Sequence, residues 1–272
     1  MIGFNRYGKA AVRLVRVNRR EPHTISDVTV AVRFTGDFEV VHTEGDNRRV
    51  LPTDTMKNTI YVLAKDWEGG EIEQLGLSLT ERFLGRNPQV ESVEVELEER
   101  PWERIGDAPH AFRNQGTERR LARVRADRTG TVVEAGVRAL EIIKTTDAGF
   151  SDFLVDDLTT LAPTDDRILA SSLTGWWRYS QTGIDYREVW RGVIATLLDR
   201  FADHYSKSIQ HSIFELGNHV LERFPEISEV RLRMPNRHHL PVELGSLGRI
   251  GPGLLFLPVE EPFGDIEATV LR

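Results

Sequence analysis

Alternating hydrophobic and polar positions predict antiparallel strands along much of the chain. Residues 90–98 (VESVEVELE) alternate strictly, which indicates a strand with one buried face and one face in water. Similar patterns, rich in Val, Thr and Phe, recur in both halves of the sequence. The predicted strands cover residues 9–17, 26–41, 90–98, 118–126, 131–145, 228–234, 254–258 and 265–271.

Four segments instead repeat their apolar residues at spacings of three and four, which predicts amphipathic helices. They cover about residues 53–67, 71–84, 185–204 and 208–224. Thr53 and Asp54 come directly before the first apolar repeat, at the position where N-cap residues are expected. The unpaired N–H groups of such a helix start favour an anion, although a plain helix cap is the simpler interpretation.

The order of elements repeats. Glu81-Arg82-Phe83 closes one helix and Glu222-Arg223-Phe224 closes another, and each is followed by a proline and a strand. We therefore expect an α+β fold of two tandem repeats, residues 1–115 and 116–272, each an antiparallel four-stranded sheet with helices on one face. Such sheets leave open edges, which a ring-shaped oligomer would cover.

Composition narrows the classes of function. The chain has 272 residues, a formal net charge of −7 and no cysteine. The negative charge argues against a nucleic-acid or anionic-membrane partner, and the absence of cysteine excludes disulfides, thiolate catalysis and cysteine-type metal sites. The N-terminal segment lacks a signal-like apolar stretch and no run is long enough to span a membrane, so we expect a cytoplasmic protein.

No common catalytic or nucleotide-binding motif occurs in the sequence. G-x-G-x-x-G, G-x-x-x-x-G-K-[ST], H-E-x-x-H and G-x-S-x-G are all missing, and no histidine spacing indicates a metal site. What remains is a set of polar and aromatic residues at predicted element ends. Considered singly, Lys9 would be a solvated strand end, Phe150 a core aromatic, and Arg167 the ion-pair partner of Asp165 or Asp166.

Several short motifs, taken together, resemble the urate oxidase (uricase) family. They are Tyr7-Gly8-Lys9, VLPTDTMKNTIY at 50–61, FSDF at 150–153, DRIL at 166–169, SIQ at 208–210 and MPNRHH at 234–239. The motifs follow the family's order across nearly the whole chain. The resemblance implies two tandem T-fold repeats and a homotetramer with active sites at subunit interfaces.

The resemblance also implies a reaction and a substrate site. Urate, dioxygen and water would give 5-hydroxyisourate and hydrogen peroxide without a metal or organic cofactor. Phe150 would stack on urate, while Arg167 and Gln210 would bond opposite edges of its ring. The backbone N–H groups of Ile209 and Asp54 would complete the plane of contacts.

In the family pattern the catalytic base is Lys9, acting through the Thr53 hydroxyl, with His238 extending the proton relay. Asn236 would hold dioxygen and then water above the ring. Lys9 and Thr53 would come from one subunit and Phe150, Arg167 and Gln210 from its neighbour. The intervening Lys57, Asn58 and Thr59 have no role that the sequence defines.

Two alternatives remain at this stage. One is another T-fold enzyme acting on a pterin or purine, although such enzymes typically use a metal or a glutamate anchor, and Gln210 stands at the anchor position. The other is a purine-binding protein without activity, which the presence of Lys9, Thr53 and His238 argues against.

Overall fold

The alternation in the first half of the chain forms four antiparallel strands. The computed structural model describes residues 2–242, 244–247 and 254–272. Each strand pairs with the next one in the sheet, in the order β1 (Tyr7–Asn18), β2 (Thr24–Gly36), β3 (Val90–Arg100) and β6 (Arg119–Asp127). A small hairpin of β4 (Trp102–Arg104) and β5 (Phe112–Asn114) separates β3 from β6 in the chain.

Helices cover one face of these strands. After the short α1 (Glu39–Thr43), helix α2 (Thr53–Asp66) packs on β1, and α3 (Ile72–Arg86) packs on β3 and β6. Every second residue of β2, from Val28 to Phe34, is fully buried in the same apolar cluster as the helix side chains. This one-sided burial is what the strict alternation predicts.

The second part of the chain has the same order of elements. It runs through β7 (Thr131–Lys144), β8 (Leu169–Tyr179), α4 (Tyr186–Asp203), α5 (Ile209–Arg223), β9 (Ile227–Arg233) and β12 (Glu267–Leu271). Strand β9 lies between β8 and β12, and α5 packs on β9 and β12. An added hairpin, β10 (Asn236–Pro241) and β11 (Phe256–Gly264), separates β9 from β12 in the chain. The predicted α+β class and tandem repeat are therefore confirmed.

Two glycines at matching positions show how closely the repeats correspond. Gly76 of α3 and Gly217 of α5 precede their Glu-Arg-Phe sequences by the same number of residues. A Cβ atom on Gly76 would lie 2.7 Å from Val124 Cγ2 of β6, and one on Gly217 would lie 2.5 Å from Val270 Cγ2 of β12. In both repeats, therefore, the second helix touches the fourth strand at a point where only glycine fits.

The first strand of each repeat also carries the same backbone irregularity. Ala11 of β1 has a φ of 56° and Ala139 of β7 a φ of 57°. In β1 the register with β2 shifts between Lys9 and Val12, which is a β-bulge. Lys9 is therefore the last regularly paired residue before a local change of strand direction.

By compactness, the chain divides into Met1–Val137 with Trp177–Trp190 (unit 1) and Arg138–Trp176 with Arg191–Arg272 (unit 2). Strands β7 and β8 contribute residues to both units. The order of elements gives a different division, in which the second repeat begins at β7. The predicted division at residues 115 and 116 stays a prediction. Among the described residues, no helix is long and apolar enough to cross a membrane.

Three details of the predicted elements are wrong. The strand predicted at 26–41 ends at Gly36, because its partner β3 begins at Val90 and offers no further pairing. Residues 169–179, where no strand is predicted, form β8, whose buried side includes Ser171 and so lacks a continuous apolar pattern. The polar segment after Met234 is also outside the predicted strands but forms β10.

We predict that the glycine contact of α5 is needed for stability. Gly217→Ala should lower the free energy of unfolding by about 1–3 kcal/mol, because the new methyl group overlaps the β-branched Val270 side chain. Guanidinium denaturation of the purified protein measures this change.

The matched control is Gly85 of α3, where an added Cβ meets nothing within 4 Å. Gly85→Ala should raise the free energy of unfolding by up to about 1 kcal/mol through helix propensity alone. Equal effects of the two substitutions would contradict the proposed close contact.

Candidate active site

Six of the nine predicted site residues line one cavity of unit 2, with a volume of about 270 Å³. The remaining wall of the cavity is largely apolar, which is usual for a small-molecule site with a few polar contacts. The six residues are Phe150, Arg167, Ile209, Gln210, Asn236 and His238; further lining residues include Leu161, Ala162, Ile168, Leu240 and Ile266.

Phe150 stands on a short bridge that fixes its backbone. Its N–H donates to the Thr164 carbonyl at 2.7 Å, and the Thr164 N–H donates back to the Phe150 carbonyl at 3.0 Å. The Phe153 ring stacks on Phe150 with a centroid distance of 5.0 Å and an interplanar angle of 14°. Phe153 thus covers one face of the Phe150 ring, and Phe150 itself lines the cavity, where it can contact a planar ligand.

Arg167 is a partly buried cation without a counter-charge. Burial lowers the pKa of its guanidinium. Its Nε atom is buried with no hydrogen-bond partner, and no described carboxylate pairs with its side chain. The expected pairing with Asp165 or Asp166 is absent within the described part of the chain, and Asp166 instead accepts a bond from Thr146 Oγ1 at 3.0 Å.

The position of Arg167 beside Phe150 suits an aromatic anion. Its Cζ atom lies 5.7 Å from the centre of the Phe150 ring. A ligand stacked on that ring would present its edge to the guanidinium fork, which can donate two parallel hydrogen bonds. An unpaired, partly desolvated cation is costly to the free protein and favours a bound negative charge.

The start of α5 forms another side of the cavity. Ser208 caps the helix by accepting a bond from the His211 N–H at 3.1 Å. The N–H groups of Ile209 and Gln210 precede the first intrahelical bonds and have no acceptor in the helix. Ile209 is buried while Gln210 is exposed, so the helix presents an amide side chain and N–H groups to a ligand edge.

Strand β10 carries the last two predicted residues. Asn236 and His238 are two positions apart and both line the cavity. Between them, Arg237 pairs with Glu141 at 2.7 Å and aligns with Ala170 of β8. The sequence predicts Asn236 and His238 as site residues but predicts no strand at this place. The apolar lining could not be predicted, because isolated Leu, Ala and Ile residues give no signal.

Lys9, Thr53 and Asp54 belong to unit 1. Thr53 is the first residue of α2, and the N-cap is Pro52, with no side-chain cap. The prediction that Thr53 and Asp54 occupy the capping position is therefore wrong by one residue. Since no side chain caps the helix, its first N–H groups are available to another acceptor.

The Asp54 carboxylate is held from within its own helix. Lys57 Nζ donates to Asp54 Oδ1 at 2.5 Å, and Asn58 Nδ2 donates to Oδ2 at 3.0 Å. These bonds, mainly the one from Lys57, lower the pKa of Asp54, and the charge of Lys9 adds a smaller contribution. Lys57 and Asn58, for which the sequence defines no role, thus fix the Asp54 side chain at the start of α2.

A larger cavity of about 490 Å³ lies in unit 1 but is a weaker candidate. Its arginines are already paired: Arg33 Nη1 lies 3.2 Å and Arg6 Nη1 3.9 Å from the Glu94 carboxylate. A cavity with neutralised charges offers an anion less than the Arg167 pocket does. Among the residues that the structure describes, no group of three or more His, Asp or Glu side chains could hold a metal ion.

Comparison with known proteins identifies one family. The sequence model described as Uricase matches residues 5–125 and 133–267. A uricase of Arthrobacter globiformis is 38% identical over 273 residues, covering 100% of this chain and 90% of the relative. A uricase of Dictyostelium discoideum is 35% identical, with coverage of 98% and 96%.

Solved structures of uricases have the same fold as this chain. The crystal structure of the uricase from Arthrobacter globiformis has a TM-score of 0.97 at 38% identity, covering 100% of this chain and 95% of that one. A urate oxidase structure from Bacillus sp. TB-90 has a TM-score of 0.87 at 23% identity, with coverage of 99% and 100%, and supports the fold alone.

We predict that the unpaired charge of Arg167 weakens the ligand-free protein. Arg167→Met keeps most of the side-chain volume and removes the desolvated cation, so the free energy of unfolding should rise by about 1 kcal/mol. Thermal and denaturant unfolding without ligand measure this change.

The matched control is Arg233→Met. Arg233 Nε lies 2.6 Å from Asp265 Oδ1, so its loss should leave stability unchanged or lower it by up to about 1 kcal/mol. A clear loss of stability in Arg167→Met would show that its guanidinium has a structural partner.

Proposed function

Since this chain belongs to the uricase family and is a urate oxidase, we propose that urate is bound in the cavity beside Phe150. The enzyme converts urate, dioxygen and water to 5-hydroxyisourate and hydrogen peroxide, so two electrons pass from urate to dioxygen. The observation that carries the proposed site is Arg167, a partly buried cation whose Nε has no partner in the described structure, beside the Phe150 ring at the wall of the cavity.

The residue types around the cavity match the chemistry of urate, a planar purine anion. Stacking on Phe150 would contribute about 1–3 kcal/mol, by analogy with bases stacked on aromatic side chains. Arg167 would donate to a carbonyl oxygen and a ring nitrogen on one edge. Gln210 and the Ile209 N–H would bond the opposite edge, where the amide both donates and accepts.

We propose that the site is completed by a second subunit of a homotetramer. In the described chain, the titratable residues that line the unit 2 cavity are Arg167, His238 and His239. No lysine, aspartate or glutamate is among the described lining residues. Lys9, Thr53 and the Asp54 N–H of a neighbouring subunit would supply the missing base and the last edge contact. Catalysis would therefore depend on assembly.

Exposed surfaces support such an assembly. β1 stands at the end of the strand order, with Val15 and Val17 52% and 47% exposed. In the loop after Phe150, Leu154 and Leu158 are 93% and 82% exposed. An open strand edge and clustered exposed leucines are surfaces that proteins usually cover.

The chemistry we propose begins with removal of a second proton from urate. Lys9 would take this proton through the Thr53 hydroxyl, since a more electron-rich urate gives up electrons to dioxygen more readily. Asn236 would hold dioxygen and afterwards the attacking water. His238 would move protons to the departing peroxide and from the water, and no metal or organic cofactor would take part.

The proposed setting of the enzyme is the cytoplasm, with urate and dioxygen as its only small-molecule partners and no nucleic acid or membrane. The net charge of −7 supports the absence of nucleic acid. Family membership removes the two alternatives raised from the sequence, another pterin or purine enzyme and an inactive purine-binding protein.

The first test is turnover. Purified protein treated with a chelator should consume urate and release hydrogen peroxide in equal amounts. Lys9→Met should lower kcat by about 10²–10⁴-fold, the usual effect of losing a catalytic base. Lys65→Met, an exposed lysine of α2, is the matched control and should keep the wild-type rate.

Two results would count against these assignments. Turnover that disappears with the chelator and returns with a metal would refute the cofactor-free reaction. A near-normal kcat in Lys9→Met would remove Lys9 as the base.

The second test concerns the shared site. Arg167→Gln should also be nearly inactive, because two charge-assisted hydrogen bonds to urate are lost. Lys9→Met and Arg167→Gln subunits, unfolded together and reassembled, should regain up to about a quarter of the wild-type activity, since a random mixture makes intact sites at that frequency.

No regain of activity in mixed tetramers, with assembly verified by native mass spectrometry, would show that Lys9 and Arg167 act within one subunit. Each variant reassembled alone is the control and should stay inactive.

A further inference from the structure

We propose that a buried chain of side chains, His204–Ser212–Ser206, is a positioning relay for the urate site. It lies outside the cavity and contacts no substrate. It joins the backbone segments that carry Phe150, Arg167 and Gln210 at one point. This inference rests on the proposed urate site and concerns how its contacts are held in place.

The three side chains form a continuous hydrogen-bonded series. His204 is 5% exposed, and Ser206 and Ser212 are fully buried. His204 Nδ1 lies 2.6 Å from the Arg200 carbonyl, and Nε2 lies 2.9 Å from Ser212 Oγ. Ser212 Oγ in turn lies 2.7 Å from Ser206 Oγ. A buried polar series of this kind is stable only if each member keeps its partner.

From Ser206 the series continues into the backbone that carries the aromatic wall. The Ser206 N–H donates to the Asp147 carbonyl at 2.8 Å, and the Gly149 N–H donates to the Ser206 carbonyl at 2.8 Å. Gly149 is followed directly by Phe150. The Arg167 N–H donates to the Ala148 carbonyl at 2.8 Å, so the Arg167 backbone is bonded to the same segment.

A second branch leads to the start of α5. Ser206 Oγ lies 3.1 Å from the Ser208 carbonyl, which also accepts a bond from the Ser212 N–H at 3.0 Å. Ser208 is the N-cap that sets where the helix begins, directly before Ile209 and Gln210. Ser206 is therefore joined by one or two hydrogen bonds to the backbone segments that carry Phe150, Arg167 and Gln210.

The hydrogens of the series have a definite direction. The Arg200 carbonyl can only accept, so Nδ1 carries the proton and a neutral His204 accepts at Nε2 from the Ser212 hydroxyl. Ser206 has a single hydroxyl hydrogen, which it donates either to Ser212 Oγ or to the Ser208 carbonyl. Protonation at Nε2 would reverse the Ser212 hydroxyl, so that Ser206 accepts from Ser212 and donates to the Ser208 carbonyl.

The surroundings favour the neutral ring. Burial lowers the pKa of His204, although its bond to the Arg200 carbonyl opposes this. Lys144, Arg200 and His211 face the ring region and their charges act in the same direction as burial. Lys144 Nζ also bonds the His204 carbonyl at 2.5 Å, and Glu215 pairs with Arg200.

The experiment removes one hydroxyl at a time. Ser212→Ala and Ser206→Ala each break the series without creating a large cavity. We expect the KM for urate to rise about 10-fold with kcat changed less than about 3-fold, because the edge contacts are loosened equally in the ground state and transition state. Ser212→Thr, which keeps a hydroxyl at the same place, should restore most of the affinity.

The matched control is Thr196→Val. Thr196 of α4 is 1% exposed and its hydroxyl has no partner in the described structure, so the substitution removes a buried hydroxyl outside the series. Its KM should equal that of the wild type. Thermal unfolding and native mass are measured for every variant, so that lost stability or assembly is seen separately from lost affinity.

Specific outcomes would overturn the proposal. One is an unchanged KM in both serine variants with lower thermal stability, which would leave the series a purely structural element. Another is a rise in KM that follows dissociation of the tetramer. Absence of turnover in the wild type would refute the proposed function instead, and equilibrium binding of urate to the same variants would still decide the role of the series.

Discussion

The contact on which the candidate site depends is the short backbone bridge between Ala148 and Ser206. Two main-chain hydrogen bonds of 2.8 Å, on either side of Ala148, hold the segment before Phe150 against the segment before α5. Without this bridge the aromatic wall and the helix start would be independent surface loops. With the bridge, Phe150 and the start of α5 are held at a fixed distance from each other although they are far apart in the sequence. A site for a small planar ligand requires such fixed positions.

The electrostatics of the two units differ in a way that marks the site. In unit 1, the arginines on the polar face of the strands are neutralised; Arg33 and Arg123, for example, both reach the Glu96 carboxylate. Burial with opposite partners is the ordinary solution for charges in a sheet. Arg167 departs from it, because its partial burial is not compensated by any described carboxylate. Such a departure is expected where a ligand supplies the missing charge, at some cost to stability.

The strongly periodic elements could be predicted from the sequence, and the polar ones could not. Alternation located β1 to β3, and the three-and-four spacing located the four long helices, since burial of one face alone generates these patterns. Strand β8 could not be predicted because Ser171 occupies a buried position and interrupts the apolar pattern. Strand β10 could not be predicted because its residues are mostly polar. The site residues stand at element ends, where periodicity carries no information, so only their combination in motifs identified them. The relation of Lys57 and Asn58 to Asp54 needed the helix geometry, which places residues three and four positions apart side by side.

The two repeats carry different components of the proposed site. Helix α2 of the first repeat begins at Thr53 without a side-chain cap, and α5 of the second repeat begins at Ile209. These helix starts are not equivalent positions of the repeat, because α2 is the first long helix of its repeat and α5 is the second, the counterpart of α3. The repeats also differ in their surroundings: the bulged β1 places Lys9 in the first, and the bridge at Ala148 brings an aromatic and an unpaired arginine to the second. In the proposed site Lys9 is the base and the cavity beside Phe150 is the recognition surface, and neither would be sufficient alone. In the proposed ring of identical subunits the two would meet at an interface, so selection for activity would at the same time select for assembly.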